Sequence, residues 1–132
     1  MSSGVNALAG AVTAALVADA AIAALVRGVH ADTPDWANTP FVAIGPHSAS
    51  DWSWAGGRGE RHRLTLFVWD DAGDGARVAA AIDLVERCVT TMPRALDGWR
   101  LVTMRATRNV IERQPDGWTR GAVELAALIE EI

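Results

Sequence analysis

The stretch "GGRGERHRLTLFVWDDAGDG", Gly56 to Gly75, holds a glycine–arginine loop, an alternating run and a cluster of aspartates. Its reading decides between a phosphate- or metal-binding site and a strand flanked by two turns. In the middle, His62, Leu64, Leu66 and Val68 fall on one side of an extended chain. Arg61, Arg63, Thr65, Phe67 and Trp69 fall on the other, which gives a strand with one apolar and one mixed face. A dinucleotide-binding loop lies between a strand and a helix, whose N-terminus holds the phosphate; these glycines lead into a strand instead. The aspartates match a calcium loop only at Asp70, Asp74 and Gly75. Its third position is Ala72 and its bidentate twelfth is Ala81. A turn in which Asp74 caps the next helix explains the same residues.

Downstream, Val78, Ile82, Val85, Val89 and Met92 form one helical stripe, with Arg77, Glu86 and Arg87 outside it and Pro93 as the stop. Two long extended runs follow, joined by "QPDGW", where Asp116-Gly117 marks a hairpin. On the second run Val123, Leu125, Ala127 and Ile129 alternate with Glu124, Ala126, Leu128 and Glu130. Its Ala, Leu and Glu content leaves a helix open for the last ten residues.

Upstream, Val5, Leu8, Val12, Ala15 and Leu16 predict a helix over Val5–Val17. Asp19 then caps a short second helix with Ile22, Leu25 and Val26 as its apolar face, ended by Gly28. No basic residue precedes Arg27, so this alanine-rich segment lacks the charged start of a signal peptide, and Asn6 and Asp19 argue against a membrane span. "HADTPDWANTP" reads as a loop, Phe41–Ile44 as a strand, and "GPHSASDWSWAGGRG" as a long polar loop. The order is α-α-β-β-α-β-β: one α+β domain over 1–132, a mostly antiparallel sheet of about four strands with helices packed on one face.

Composition narrows the chemistry. The 132 residues carry a formal net charge of −4, which gives no bulk attraction to nucleic acid or anionic membranes. All 12 basic residues are arginine, so a P-loop lysine, a Schiff base and a carboxylate–lysine nuclease centre are excluded. The single Cys88 lies among stripe residues as a buried thiol, and with His30, His47 and His62 it matches no zinc spacing. Ser48, Ser50 and Ser53 lie near His47 and Asp51, but in one loop without a nucleophile elbow. Glu60 and Glu112 are a weak acid–base pair at strand ends. Arg58, Arg61, Arg63, Arg105, Arg108, Arg113 and Arg120 build a basic stripe if their strands are neighbours. Cross-strand pairing with Glu60, Glu112 and Glu124 is the simpler expectation. No cofactor or metal site emerges. Trp52 and Trp54, in a Gly/Ser loop, are placed either as interface anchors or as a local lid.

The order of elements, together with "ADAAIAALV", "TPFVAIG", "HRLTLFVWDDAGDGARVAAAIDLVERCV" and "LDGWRLVTMRATRNVIERQPDGWTRGAVELAALIE", resembles the tail-terminator, or tail-completion, proteins of long-tailed phages and gene transfer agents. The resemblance covers nearly the whole chain. It implies a non-enzymatic virion protein at the head–tail junction, forming rings, usually of six, on the head-proximal end of the tail tube. Such rings stop tube polymerisation and meet the head connector, with DNA passing through the hole. Trp52, Trp54, Arg58 and Arg61 are then the expected interface residues, the arginines facing carboxylates of the next subunit. Two rival readings are a monomeric peptide- or ligand-binding module using the Trp52/Trp54 loop, and a small hydrolase using His47–Asp51.

Overall fold

The computed structural model describes residues 4–34, 37–71 and 74–132. The remainder of the "HADTPDWANTP" loop reading (Asp35, Trp36) and of the "DDAGDG" turn reading (Ala72, Gly73) lies outside them.

Helix α1, Gly4–Ala18, is built of good helix formers and buries Gly4, Leu8, Val12 and Leu16, one residue per turn. Asp19 caps α2, Ala20–Leu25: the Ile22 N–H donates to its Oδ1 at 3.0 Å, and Ile22 is the buried residue of this helix. The sheet comprises β1 (Val29–His30), β2 (Phe41–Asp51), β3 (Gly59–Asp70), β4 (Trp99–Arg113) and β5 (Thr119–Glu131), in spatial order β1-β2-β3-β5-β4. Only β1 runs parallel to its neighbour; every other pairing is antiparallel. The α+β class stands, with five strands rather than about four. The added strand is β1, two residues held by pairing Val29 with Val42 and His30 with Ala43, too short for any periodicity.

Helix α3, Ala76–Thr90, packs its stripe on the sheet. Val78, Ile82, Val85 and Val89 share one buried cluster with Leu64, Leu66, Val68, Val123, Leu125 and Ile129. Met92, expected on the same helix, joins the cluster from beyond the C-cap Thr91, so the helix ends before Pro93. Each such aliphatic side chain contributes roughly 1.5–3 kcal/mol when fully buried. Close approach is permitted by Gly121, where a Cβ would lie 2.6 Å from Val78 Cγ1 and 2.8 Å from Ile82 Cδ1. The N-cap is Gly75, at φ 74°, and not Asp74. Asp74 stands one residue too early for the cap and accepts the Ala76 N–H at 3.1 Å.

Two further expectations are corrected. Strand β2 runs on to Asp51 because Ser48, Ala49, Ser50 and Asp51 pair with Arg63, His62, Arg61 and Glu60. The register shift between Ile44 and His47, at Gly45-Pro46, breaks the alternation that signals a strand. The supposed long loop is therefore a hairpin with a short tip. The last ten residues are strand and not helix, since β5 is paired on both sides from Thr119 to Glu130. Among the described residues the helices lie against one face of the sheet and none covers the other.

Candidate functional site

The hairpin tip between β2 and β3 is ordered by its own contacts. The Trp52 N–H donates to the Gly59 carbonyl at 2.9 Å, and Trp54 and Gly57 exchange backbone bonds at 3.0 and 3.1 Å. The two indoles meet edge to face, with centroids 5.7 Å apart. They lie directly on glycine backbone: a Cβ at Gly57 would fall 2.6 Å from the Trp54 ring, and one at Gly59 2.9 Å from the Trp52 ring. Trp52 is thereby half-buried, while Trp54 stays 48% exposed. Arg58 at the base of the tip is engaged within the chain. Its guanidinium sits 5.3 Å from the Trp99 ring centroid and 3.4 Å from Glu131.

Beneath the tip is a polar relay that periodicity alone does not reveal. His62 is fully buried and Glu60 nearly so, both on the helix-covered face of β3. Glu60 Oε1 lies 2.9 Å from His62 Nε2, and His62 Nδ1 lies 2.7 Å from His47 Nε2. With neutral rings, His62 donates to the carboxylate and His47 donates to His62. Arg58 adds a cation at 3.7 Å from Glu60. The sequence signal was present: two polar residues at successive inward positions of an otherwise apolar strand. Burial, then the neighbouring His62, hold the His47 pKa below its ordinary value of 6.5, with Glu60 opposing them.

A proton bound by His47 is disfavoured in the folded state, so the unfolded chain takes one up first as acid is added. Stability from this group is complete above pH 6.5 and declines as pH falls below it. Urea midpoints measured from pH 7.5 to 5 should fall with acid, and His47→Gln should flatten that slope. An unchanged slope in the variant contradicts the assignment.

The expected catalytic groupings do not assemble. Ser48 and Ser50 face the opposite side of β2 from His47, and the Ser53 hydroxyl donates to Asp51 at 2.6 Å. Glu60 and Glu112 sit at opposite ends of the sheet, the first on His62 and the second on Arg120. Asp70, the best match to a calcium ligand, is buried and forked by Arg77 at 2.7 and 2.9 Å, which pins α3 to the end of β3. Among the described residues no group of three or more His, Cys, Asp or Glu is placed to hold a metal, and no helix is long and apolar enough to cross a membrane. Cys88 is buried, and burial together with Asp19 raises its pKa, as expected of an unreactive thiol.

On the open face, the basic stripe splits. Arg108 meets Glu124 at 3.0 Å and Arg120 meets Glu112 at 3.1 Å, while Arg100 pairs with Glu130. Arg120 also lies over the Phe67 and Trp69 rings, at 4.9 and 5.7 Å. Cross-strand pairing thus accounts for these arginines. Arg61, Arg63 and Arg105 take part in no ion pair among the described residues.

The described residues form a sheet backed by helices on one face, with the hairpin tip and the arginine-bearing face as its surface features. Residues 10–130 match the family described as "Tail completion protein gp17", and the chain belongs to that family. The family's description makes it a tail-completion protein. The chain is similar, at 30% identity and a TM-score of 0.87, to a chain in the virion of a native gene transfer agent particle, over 98% of this chain and 99% of that one. Bacteriophage SPP1 gp17 protein shares the fold at a TM-score of 0.62 and 20% identity, over 98% and 91% of the two chains. No curated protein sequence matches.

Proposed function

We propose that this protein forms a ring that caps the head-proximal end of the tail tube, stops its polymerisation and joins the tail to the head connector, with DNA passing through the hole. The observation that carries this reading is the full-length likeness to a chain of a gene transfer agent virion, in a family described by tail completion. The sheet supports a repeating contact between copies. Among the described residues β4 is bonded at its start to the Arg94–Leu96 segment and otherwise pairs with β5, and β1 covers β2 only at Val42 and Ala43, so both edges of the sheet offer lengths of unpaired backbone. Two different edges on one subunit suit a head-to-tail contact, which closes into a ring when the rotation permits.

The hairpin tip is the proposed anchor of that assembly. Trp54 is half exposed on a rigid glycine platform, so little side-chain freedom is lost when a neighbour covers it. Trp52 and Arg58 hold the platform in place; Arg61, expected at the same contact, projects onto the open sheet face instead. Trp52→Ala combined with Trp54→Ala should leave the monomer's melting nearly unchanged, because both side chains pack on the tip and not in the main core. Ring formation and occupancy of tail-tube ends, read by native mass and electron microscopy, should be lost; tryptophan anchors contribute a few kcal/mol each at interfaces. Intact rings and occupied tube ends in the double variant contradict the anchor, and unfolding contradicts the placement of the tip.

A further inference from the structure

We propose that Arg61, Arg63 and Arg105, with Ser48, Ser50 and Thr103, form a contact patch for the phosphate backbone of duplex DNA on the open face of the sheet. The register assembles it from four strands. One row across the sheet is Ser50, Arg61, Leu128 and Thr103; the next is Ser48, Arg63, Ala126 and Arg105. Residues directly opposite one another share a face, so all the polar members project to the same side. Arg61, Arg63, Thr103, Arg105, Ala126 and Leu128 line a shallow groove of about 260 Å³.

Three features select the occupant. Each row contains hydrogen-bond donors and no carboxylate, whereas the neighbouring arginines Arg100, Arg108 and Arg120 each have a glutamate of their own. Three uncompensated positive charges therefore sit together on a chain whose formal net charge is −4. Positions two residues apart on a strand lie about 6.6 Å apart and positions two strands apart about 9.5 Å apart at the backbone. These are the relations of Arg61 to Arg63 and of Arg63 to Arg105 across β5, with the small Ala126 as the floor between the latter two. An extended polyanion can lie across such a floor and take guanidinium forks from both sides. Arginine and hydroxyl side chains are the groups that contact phosphates without reading sequence. None of the described residues lining the groove offers a six-membered aromatic platform for unstacked bases, which favours an intact duplex over a single strand. The phosphate chemistry follows from the patch; that the DNA is the genome passing the ring rests on the reading above.

The test is anisotropy of a fluorescent random-sequence duplex of about 25 base pairs, titrated with the full chain. Three neutralised phosphates predict a log–log salt slope of about −2.7, so affinity should fall roughly fortyfold between about 50 and 200 mM salt. Arg61→Gln, Arg63→Gln and Arg105→Gln together should cut binding at least about tenfold and flatten the slope, with melting unchanged, while Arg108→Gln should change little. Equal binding by the triple variant overturns the proposal, as does absence of DNA binding by the parent at about 50 mM salt. A poly-glutamate peptide that displaces the duplex at equal charge concentration also overturns it, in favour of an acidic protein partner. Tail length in particles is a separate readout: controlled, head-joined tails carrying the triple variant leave the terminator reading intact whatever the DNA titration gives.

Discussion

Val85→Asp should leave the chain unfolded at room temperature. Val85 is fully buried at the middle of the α3 stripe, among Val78, Ile82 and Val89 and facing the sheet residues of the same cluster. The substitution removes a buried aliphatic contribution of roughly 1.5–3 kcal/mol and places a carboxylate in its position. A buried carboxylate without a partner either keeps its charge at large cost or is protonated by a raised pKa; both routes cost several kcal/mol. Domains of ordinary stability have only about 5–15 kcal/mol in total, so the fold is lost or left marginal. Asp83→Ala, two residues away on the exposed side, is the control and should change stability by no more than about 0.5 kcal/mol. Far-UV circular dichroism and urea titration read both variants. A Val85→Asp protein that melts like its parent places α3 somewhere other than on the sheet.

The helix carrying that prediction was legible because its stripe recurs at the helical period over nearly four turns. Strand β3 was legible for the parallel reason: its alternation from Arg61 to Trp69 is unbroken, and the buried and exposed faces fall as the pattern says. The β4–β5 hairpin announced itself through Asp116-Gly117, with Gly117 at φ 92°. Where the reading fell short, the deciding contact was distant in sequence or local chemistry overruled the pattern. Strand β2 stopped early because Gly45-Pro46 shifts the register and the residues beyond it are small or polar. Strand β1 exists only through its pairing with β2. The end of β5 has the composition of a helix, and neighbours on both sides hold it extended.

The surfaces were less legible than the fold. Trp52 and Trp54 drew notice as residues unusual for a polar loop, yet the stacking on Gly57 and Gly59 that makes them a rigid tip depends on strand pairing. The relay from His47 through His62 to Glu60 needs the register of β2 on β3. The spacing of the arginines in sequence does not show which of them share a face. Only the order β3-β5-β4 brings Arg61 and Arg63 across from Arg105, and only side-chain geometry separates the paired arginines from the unpaired. The family resemblance rests on the order of elements together with four stretches of sequence; the two-residue β1 adds one strand to that order and leaves the succession of the other seven elements as read.

The terminator role is tested most directly by particles assembled without this protein. A tube end that is not capped keeps the surface on which the next tube subunits add, so length control fails where the cap is missing. On the proposed reading the connector likewise has no ring to engage, so heads and tails separate. Electron micrographs of purified particles from a deletion strain, scored for tail length and head attachment against the parent, give the measurement. The account predicts a broad distribution extending well beyond the parental length, or tails free of heads, with parental tails restored by supplying the protein in trans. Tails of parental length joined to heads in the deletion strain would contradict it.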